Sequence, residues 1–386
     1  MHRGVATFTL DEGKCPRWLF ERMVKLGREI VSVLIYEYGP DEFIKRISNP
    51  VWFQTLGTVL AFDWNASGLT TVLTAALKEA IRGQEKELGI FICGGKGKTS
   101  RKTPEEIKNW GERLSLPGGI VSNLTYNSRM AAKVDSSLIQ DGFQIYHHSF
   151  FFSKSGAWAV VQQGMNTTLG SARRYHWYSA DIKELICEPH AGIVSNVKTK
   201  TLDLTSKISE KNRNISLDLI QKGTRSELLK DLEILNKHFS RISQTITFKN
   251  KQGELFTFLN LEDKEFHTHP VLKENFLKNK YLIKILDKLF YEKPQNYEKL
   301  LATEGVGPKT IRALSLVSEV IYGASPSYKD PARYSFAFGG KDATPYPVDK
   351  KTYDESILIL KKAVSKSKLD FFEKRKIFNK IEKWSK

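Results

Sequence analysis

The sequence predicts an α+β protein with two domains, on three observations. Residues 142–163 are rich in aromatic and β-branched residues on both sides of the turn Ser153-Lys154-Ser155-Gly156, which is typical of an antiparallel hairpin. After residue 224, apolar residues recur at helical spacing instead. A chain of 386 residues is also long enough for two domains, each with its own core.

These observations place a mixed α/β domain, the candidate catalytic domain, in residues 1–200 and a helical, DNA-binding domain in residues 224–386. Residues 195–216 are rich in Ser, Thr, Lys and Asn and have little periodic hydrophobicity, and we place the connection between the domains at residues 201–223. Such a composition is typical of a linker or an exposed connection. We therefore expect the two domains to be joined there.

The elements of each domain follow from apolar spacing. Strand alternation in the hairpin places Phe143, Ile145 and His147 on one face, with Gln144, Tyr146 and His148 on the other. The first domain is predicted to contain helices at 16–36, 41–47 and 69–83 and a buried strand at Leu88–Cys93. The second is predicted to contain helices at 226–242, 271–289, 350–365 and 370–384 and a short β segment at 245–258.

Charge and cysteine content indicate the class of partner and the compartment. The chain has 60 Lys and Arg against 43 Asp and Glu, and its formal net charge of +17 favours a polyanion such as nucleic acid. The cysteines, Cys15, Cys93 and Cys187, are too far apart for a zinc knuckle and show no disulfide pattern. The first residues are acidic where a signal peptide is apolar, and no run is long enough to span a membrane. We expect a cytoplasmic protein without a membrane partner.

Residues 297–323 have the pattern of two helices joined by the turn Gly305-Val306-Gly307, and they resemble the helix-hairpin-helix DNA-binding motif. Gly305 and Gly307 allow a tight turn and close approach to a phosphate, which the following helix N-terminus favours electrostatically. Lys309 and Thr310 would complete the phosphate site. Behind them, Ile311, Leu314 and Val317 are predicted to face a core, with Arg312 and Glu319 toward water.

Other glycine-rich or basic segments are also candidate DNA contacts. The loop Gly94–Lys102 follows a predicted strand, but Ile92 stands where a nucleotide P-loop requires glycine, so Lys96 and Lys98 are better explained as backbone contacts to DNA. The segment 339–342 adds Lys341 beside two glycines. In S-A-R-R-Y-H-W-Y-S, Arg173 and Arg174 could bind phosphate and Trp177 could stack on an unpaired base, although alternating aromatics are as often core.

Polar residues around the hairpin suggest a catalytic centre. The candidate metal ligands and catalytic residues are Asp135, Asp141, Glu188 and His190, the last two in C-E-P-H-A-G. Carboxylates with a histidine are the ligands that a Mg- or Mn-dependent phosphodiesterase gathers. His147, His148, Gln162 and Gln163 lie in the same region. The alternative is structural, with Asp141 as a turn residue and His147 as a core histidine.

Several motifs together resemble the family catalogued as domain of unknown function 763. They are W-F-Q-T-L-G, V-D-S-S-L-I-Q-D-G-F, W-A-V-V-Q-Q-G-M-N and the segment A-S-P-S-Y-K-D-P-A-R-Y-S-F-A-F-G-G-K-D-A-T-P-Y-P-V-D. The resemblance covers nearly the whole chain. It implies an archaeal or thermophilic bacterial source and carries no established activity.

The helix-hairpin-helix pattern of residues 297–323 also resembles, in part, that of the helix-hairpin-helix DNA glycosylases. In those enzymes the hairpin lysine attacks the sugar as an amine, and an aspartate in a Val-Asp pair completes the site. Lys309 matches the lysine, and Asp349 in Val348-Asp349 matches the aspartate. An inserted glycine segment separates the two positions here, and Asp349 is also suited to be the N-cap of the following helix.

The sequence therefore favours a metal-dependent DNA nuclease of DNA repair, with Mg or Mn as cofactor. A DNA glycosylase or AP lyase that uses Lys309 and Asp349 is the first alternative. A DNA-binding module without chemistry is the second. Because backbone amides hold DNA and RNA phosphates alike, RNA also stays open as a partner.

Overall fold

A five-stranded antiparallel sheet occupies the centre of the first half of the chain. Its strands lie in the order β1 (Ile90–Lys96), β3 (Gln144–Ser153), β4 (Trp158–Asn166), β5 (Ser171–Tyr178) and β6 (His190–Val194). A separate pair joins β2 (Ile139–Gln140) to β7 (Leu202–Asp203). The structure is a computed structural model that describes residues 8, 10, 15–60, 66–238, 247–249, 255–257, 276–332 and 350–385.

Helices cover both faces of the sheet and make up most of the second half of the chain. The helices of the first half are α1 (Arg17–Tyr38), α2 (Pro40–Ser48), α3 (Pro50–Val59), α4 (Ala66–Ala80), α5 (Glu85–Leu88), α6 (Thr103–Arg113) and α7 (Gly118–Ser137). Those of the second half are α8 (Glu210–Gln221), α9 (Arg225–His238), α10 (Lys280–Glu292), α11 (Tyr297–Ala302), α12 (Pro308–Val320), α13 (Lys350–Lys366) and α14 (Phe371–Ser385). The predicted α+β class and the central antiparallel hairpin are confirmed.

The remaining described segments fit the predicted pattern in part. The strands β8 (Thr247–Lys249) and β9 (Leu255–Thr257) pair with each other, as expected for the β segment at 245–258. The helix expected at 271–289 is displaced toward the C-terminus, because α10 begins only after Asn279, whose side chain caps it by accepting from Leu282 N at 2.9 Å. In the ranges that the structure describes, no helix is long and apolar enough to cross a membrane.

The sheet is apolar at one end and polar at the other. On the face that α7 covers, Phe91, Phe152 and Trp158 are buried together. The opposite face, which α1 to α4 cover, has Ile92, Phe151 and Ala159 at the same end. Toward the other end both faces change to histidine, glutamine and arginine, so the sheet positions its polar groups at one edge of the core.

A bulge in β3 changes the faces predicted for the hairpin. The register between β3 and β4 shifts between Ile145 and His147, which leaves Tyr146 without a paired position. Ile145 then packs with Tyr175 on the α7 face, while His147 lies 3.2 Å from Thr74 of α4 on the opposite face. The predicted sharing of one face by Phe143, Ile145 and His147 is therefore wrong, because an extra residue reverses strand alternation.

Residues 201–223 do not form a linker. They contain β7 and α8, and α8 is held against α12 by buried polar contacts. Asn212 donates to the carbonyls of Ser315 at 3.0 Å and Ala324 at 2.7 Å. Ser216 lies 2.9 Å from Ser318. These short polar side chains are buried and hydrogen-bond to one another or to the backbone, although the composition of the segment resembles that of a loop.

One cluster of buried side chains includes residues from both predicted domains. Leu124 and Val134 of α7 belong to it together with Leu286, Leu300 and Ile311 of the second half. The last two helices pack instead on the other side of the molecule, where Leu360 and Ile377 join the core of α1 to α4. The helices assigned to one DNA-binding domain thus contact two different parts of the first half.

Helix α12 has its apolar residues where the sequence places them, but its polar residues differ. Ile311, Leu314 and Val317 are fully buried, as predicted. Arg312 was expected in water, and instead its Nε donates to Gln140 Oε1 at 2.6 Å. Glu319 was also expected in water, and instead it is partly buried and accepts a hydrogen bond from the Tyr328 hydroxyl. Both expectations are wrong because neighbouring segments cover this face of the helix.

We predict that Gly94→Ala destabilises the protein far more than Gly83→Ala. Both glycines have φ +84, so both substitutions force a left-handed alanine, at about 1–2 kcal/mol. A Cβ at Gly94 would also collide with the His148 carbonyl and Thr103 Oγ1, whereas one at Gly83 meets nothing within 4 Å. Urea unfolding should therefore show a further loss of about 2 kcal/mol for Gly94→Ala. Equal losses would contradict the packing of β1.

We predict that Glu319→Gln stabilises the protein increasingly as pH rises from 5 to 8. Burial raises the pKa of Glu319 to about 7, against a hydrogen bond from Tyr328 that lowers it. The native state therefore favours the protonated acid, and the wild type loses stability as pH rises through that pKa. The gain should reach about 1–3 kcal/mol at pH 8 and vanish near pH 4 in urea unfolding. Exposed Glu304, changed to Gln, is the control, and an identical pH profile for both variants would disprove the burial effect.

Candidate functional site

Helix α7 lies between the sheet and the glycine turn, and it carries side chains toward both. Ser128 and Asp135 face the sheet, where they contact His148 and His190. Lys133 points to the opposite side and donates to the carbonyls of Leu301 and Thr303, each at 2.7 Å. The helix therefore fixes the position of the polar cluster relative to the turn.

The carboxylate of Asp135 is the centre of the polar cluster. It is fully buried and accepts hydrogen bonds from three side chains on the sheet. Oδ1 lies 2.5 Å from Nε2 of His190, and Oδ2 accepts from Nε1 of Trp177 at 3.0 Å and from the amide of Gln162. Three donors compensate the loss of hydration that burial imposes on a carboxylate.

The cluster extends across the sheet from Asp135 toward β1. Gln162 uses its amide oxygen to contact Nδ1 of His148 at 2.9 Å, and Nε2 of His148 lies 2.9 Å from Ser128 Oγ. Burial lowers the pKa of His148, while the bond to Gln162 and the charge of Asp135 oppose that shift. The chain of contacts from Ser128 to His190 is therefore continuous and internally satisfied.

His190 is the member of the cluster that meets solvent. Its side chain is 7% exposed, and its ring packs edge-on against Trp177 with centroids 4.7 Å apart. Nε2 is occupied by Asp135, while no described residue hydrogen-bonds to Nδ1, which is not fully enclosed. A carboxylate that accepts from one ring nitrogen makes the other nitrogen an acceptor, as in a general base or a metal ligand.

Asp141 is brought near this cluster but has partners of its own. Its Oδ2 accepts from Arg173 at 2.9 Å and from the Tyr175 hydroxyl at 2.6 Å. Arg173 also donates to Asp330 at 2.7 Å. Tyr175 separates Asp141 from His190. The centroids of the Tyr175 and His190 rings are 6.3 Å apart. The interactions of Asp141 thus make it a structural carboxylate that orders β5 and the segment at Asp330.

Glu188 lies at the exposed edge of the site and does not contact Asp135. It has φ 45 and forms an ion pair with Lys207 at 3.5 Å. Its backbone N–H donates to the carbonyl of Thr205 at 2.9 Å, which attaches the turn before His190 to β7 and the residues after it. Across the described segments, no three His, Cys, Asp or Glu side chains are grouped closely enough to hold a metal ion.

Sequence reasoning missed Asp203, which is buried beside the site. Its Oδ1 accepts from the backbone and hydroxyl of Thr205 at 2.9 and 2.6 Å. Burial raises the pKa of Asp203, and the charge of His190 acts in the opposite direction, which places the two groups within electrostatic reach. The pairing of β7 with β2 brings Asp203 there, and the linker-like composition gave no signal of that pairing.

Among the residues predicted to bind DNA, the structure separates exposed from buried ones. Lys96 and Lys98 are exposed at the end of β1 and in the 3-10 turn after it. Arg173, Arg174 and Trp177 are fully buried, so they offer no surface to a DNA strand. The structure supports the core interpretation of that segment, because Arg173 is hydrogen-bonded to the carboxylates of Asp141 and Asp330 and Arg174 lies against Gln54 of α3 and Thr70 of α4.

The glycine turn between α11 and α12 is anchored on the first half of the chain. Gly305 adopts φ +90, which explains the need for glycine there. Besides the contacts of Lys133, Gln140 donates to the carbonyl of Pro308 at 3.0 Å. Lys309 is partly exposed in the first turn of α12, whereas Thr310 is buried and points away from solvent. Lys341 and Asp349 lie outside the described residues.

Comparison with known proteins gives one match. A family model described as "Protein of unknown function (DUF763)" matches residues 4–348. Neither the curated proteins nor the solved structures that were compared include a match.

We predict that Asp135→Asn destabilises the protein by about 3–5 kcal/mol. The NH₂ group of asparagine would replace one acceptor oxygen, so that some of the donors Gln162, Trp177 and His190 would lose their acceptor. Urea unfolding at pH 7 measures the loss. Glu188→Gln is the matched control at an exposed carboxylate, and we expect a change within about 0.5 kcal/mol. A loss below about 1 kcal/mol for Asp135→Asn would show that the cluster does not depend on this carboxylate.

Proposed function

The chain belongs to the DUF763 family, and starting from that membership we propose that it is a DNA-binding hydrolase, a nuclease that cleaves phosphodiester bonds with His190 as general base. The family description gives no activity, so the proposal depends on the site. One observation carries it: Asp135 holds Nε2 of His190 at 2.5 Å, while Nδ1 of the same ring has no hydrogen-bond partner among the described residues and is not fully enclosed.

This arrangement suits proton abstraction from water. A histidine whose protonation site and orientation are fixed by a buried carboxylate can take a proton at the other nitrogen, and the carboxylate stabilises the imidazolium that forms. In the proposed reaction, a water gives its proton to Nδ1 of His190 and attacks the phosphorus. The bond from the phosphorus to the leaving sugar oxygen breaks, and that oxygen takes up a proton from solvent. Trp177 keeps the ring in place by edge-on packing.

Two surfaces of the same structure suit a DNA backbone. Lys98 lies in the exposed 3-10 turn after β1, and Lys309 lies in the first turn of α12, after the Gly305 turn. Basic side chains and helix N-terminal amides bind phosphates without reading bases. Because Lys133 and Asp135 both belong to α7, DNA held at the glycine turn would be held at a fixed distance from His190.

A Mg²⁺ or Mn²⁺ ion is also part of this proposal. The protein and the substrate phosphate would bind it together. Mg²⁺ in phosphate chemistry commonly keeps several waters and uses only one or two protein ligands besides the phosphates. The carboxylate of Asp203 is a group of this chain that could contribute such a ligand, because Nδ1 of His190 has to stay free to accept the proton. The ion would offset charge on the phosphate.

We predict that His190→Gln lowers DNA cleavage at least about 100-fold with little change in DNA affinity, because it removes the base and leaves the binding surfaces intact. The assay uses labelled single-stranded, duplex and abasic DNA with Mg²⁺, Mn²⁺ or EDTA. Glu188→Gln is the control, with a change of less than about threefold expected.

The same assay distinguishes the alternatives. Cleavage of abasic DNA that survives EDTA, with a covalent adduct trapped by borohydride in the wild type and absent in Lys309→Ala, would replace the proposal by a lyase. Salt-sensitive binding without any product would leave a DNA-binding module.

A further inference from the structure

A row of polar side chains crosses the face of the sheet opposite to Asp135. In register on adjacent strands, Lys96 pairs with His147, His147 with Gln163, and Gln163 with Arg174. The last three are fully buried, while Lys96 is exposed at the edge. Lys96 shares this face because it alternates in phase with buried Ile92. The row therefore leads from solvent into the interior.

Helix α4 covers the row with polar groups of its own. Thr74 Oγ1 lies 3.2 Å from Nε2 of His147. The carbonyl of Ser67 accepts from the amide of Gln163 at 3.0 Å. These positions are separated by about two helical turns on one side of α4, so the helix and the sheet form two polar walls.

Several buried atoms of this row and of the neighbouring α3 have no hydrogen-bond partner among the described residues. They are Nδ1 of His147, Oε1 of Gln163 and Nε2 of Gln54, whose own Oε1 lies 3.3 Å from Arg174. An unsatisfied buried polar atom is destabilising, and three at neighbouring positions are unusual in a native core. A bound ligand that donates and accepts hydrogen bonds would remove this cost.

The charges around the row indicate the sign of that ligand. Lys96 stands at the entrance and Arg174 at the inner end. The partners of His147 and Gln163 among the described residues are uncharged hydroxyl and carbonyl groups. Burial, with smaller contributions from His148 and Lys96, lowers the pKa of His147 to about 3 and so keeps it neutral. The environment is therefore cationic.

We propose that this row is a binding site for a phosphate monoester or inorganic phosphate, which enters past Lys96 and contacts His147, Gln163 and Gln54. Phosphate oxygens would accept from Lys96, from Nδ1–H of His147 and from the amide of Gln54. A protonated oxygen of the monoester donates to Oε1 of Gln163. A phosphodiester has no such proton, so the site discriminates against the internal phosphates of a nucleic-acid strand.

The test is titration of the full-length protein with sodium phosphate by calorimetry, against sodium chloride at equal ionic strength. We expect saturable binding to the wild type. Lys96→Ala, at the entrance, and Gln163→Glu, which places a negative charge in the row, should each weaken it at least tenfold. Lys98→Ala removes a neighbouring exposed lysine outside the row and should change affinity less than twofold.

Two results would overturn the site: no saturable phosphate binding by the wild type, or equal losses in Lys96→Ala and Lys98→Ala, which would indicate general charge attraction. Lys96→Ala alters an exposed side chain, so the test stands even if Gln163→Glu fails to fold. These phosphate titrations use neither DNA nor a cleavage assay, so their failure is separate from failure of the proposed nuclease.

A competition arm identifies the source of the phosphate. Oligonucleotides with a 5′-phosphate, a 3′-phosphate or only hydroxyl ends are titrated into the phosphate-loaded protein. If an oligonucleotide with a phosphorylated end displaces the bound phosphate and the hydroxyl-ended one does not, the site binds the terminus of a nucleic-acid strand. Displacement by none assigns it to a free small molecule. Displacement by the hydroxyl-ended strand would contradict the discrimination against diesters.

Discussion

The buried carboxylate of Asp135 is the constraint on which the arrangement of the site depends. A charge that is fully removed from water must be compensated, and here the donors are Trp177, Gln162 and His190 on three adjacent strands of the sheet. Satisfying one carboxylate thus requires α7 to lie at a fixed angle and register over β4, β5 and β6. The same helix directs Lys133 to the carbonyls that end α11. One element therefore sets both the orientation of His190 and the position of the glycine turn.

The polar end of the sheet explains why so many titratable groups are buried in this protein. Each strand alternates between two faces, and the last rows place His148 and Gln162 against α7 but His147 and Gln163 against α4. The bulge at Tyr146 makes this division possible, because it reverses the phase of β3 just before the polar rows begin. Two polar sites of different character therefore lie back to back, one built around a carboxylate and one around cations.

The sequence predicted the parts of the fold that have strong periodicity. The hairpin of β3 and β4, the helices α1, α2 and α4 and the two helices flanking Gly305 follow directly from apolar spacing. Helix α7 was missed because its first turns contain Gly118, Gly119 and several Asn, Ser and Thr residues, which favour turns in isolation. Tertiary packing overrides that preference, since Leu124, Met130 and Val134 bury its apolar side. The partners of Asp135 could not be derived either, since they depend on which strands are neighbours, and Asp203 arrives through a pairing of β7 that composition does not signal.

The central claim is that His190 is oriented by Asp135 so that its Nδ1 is available to a substrate. The most direct measurement is the ¹⁵N NMR spectrum of the His190 imidazole at pH 7.5, recorded with and without a short DNA duplex. The account predicts a proton on Nε2, a bare Nδ1, and a shift confined to Nδ1 when DNA is added. A ring protonated on Nδ1, or a spectrum that DNA does not change under conditions where it binds, would contradict it.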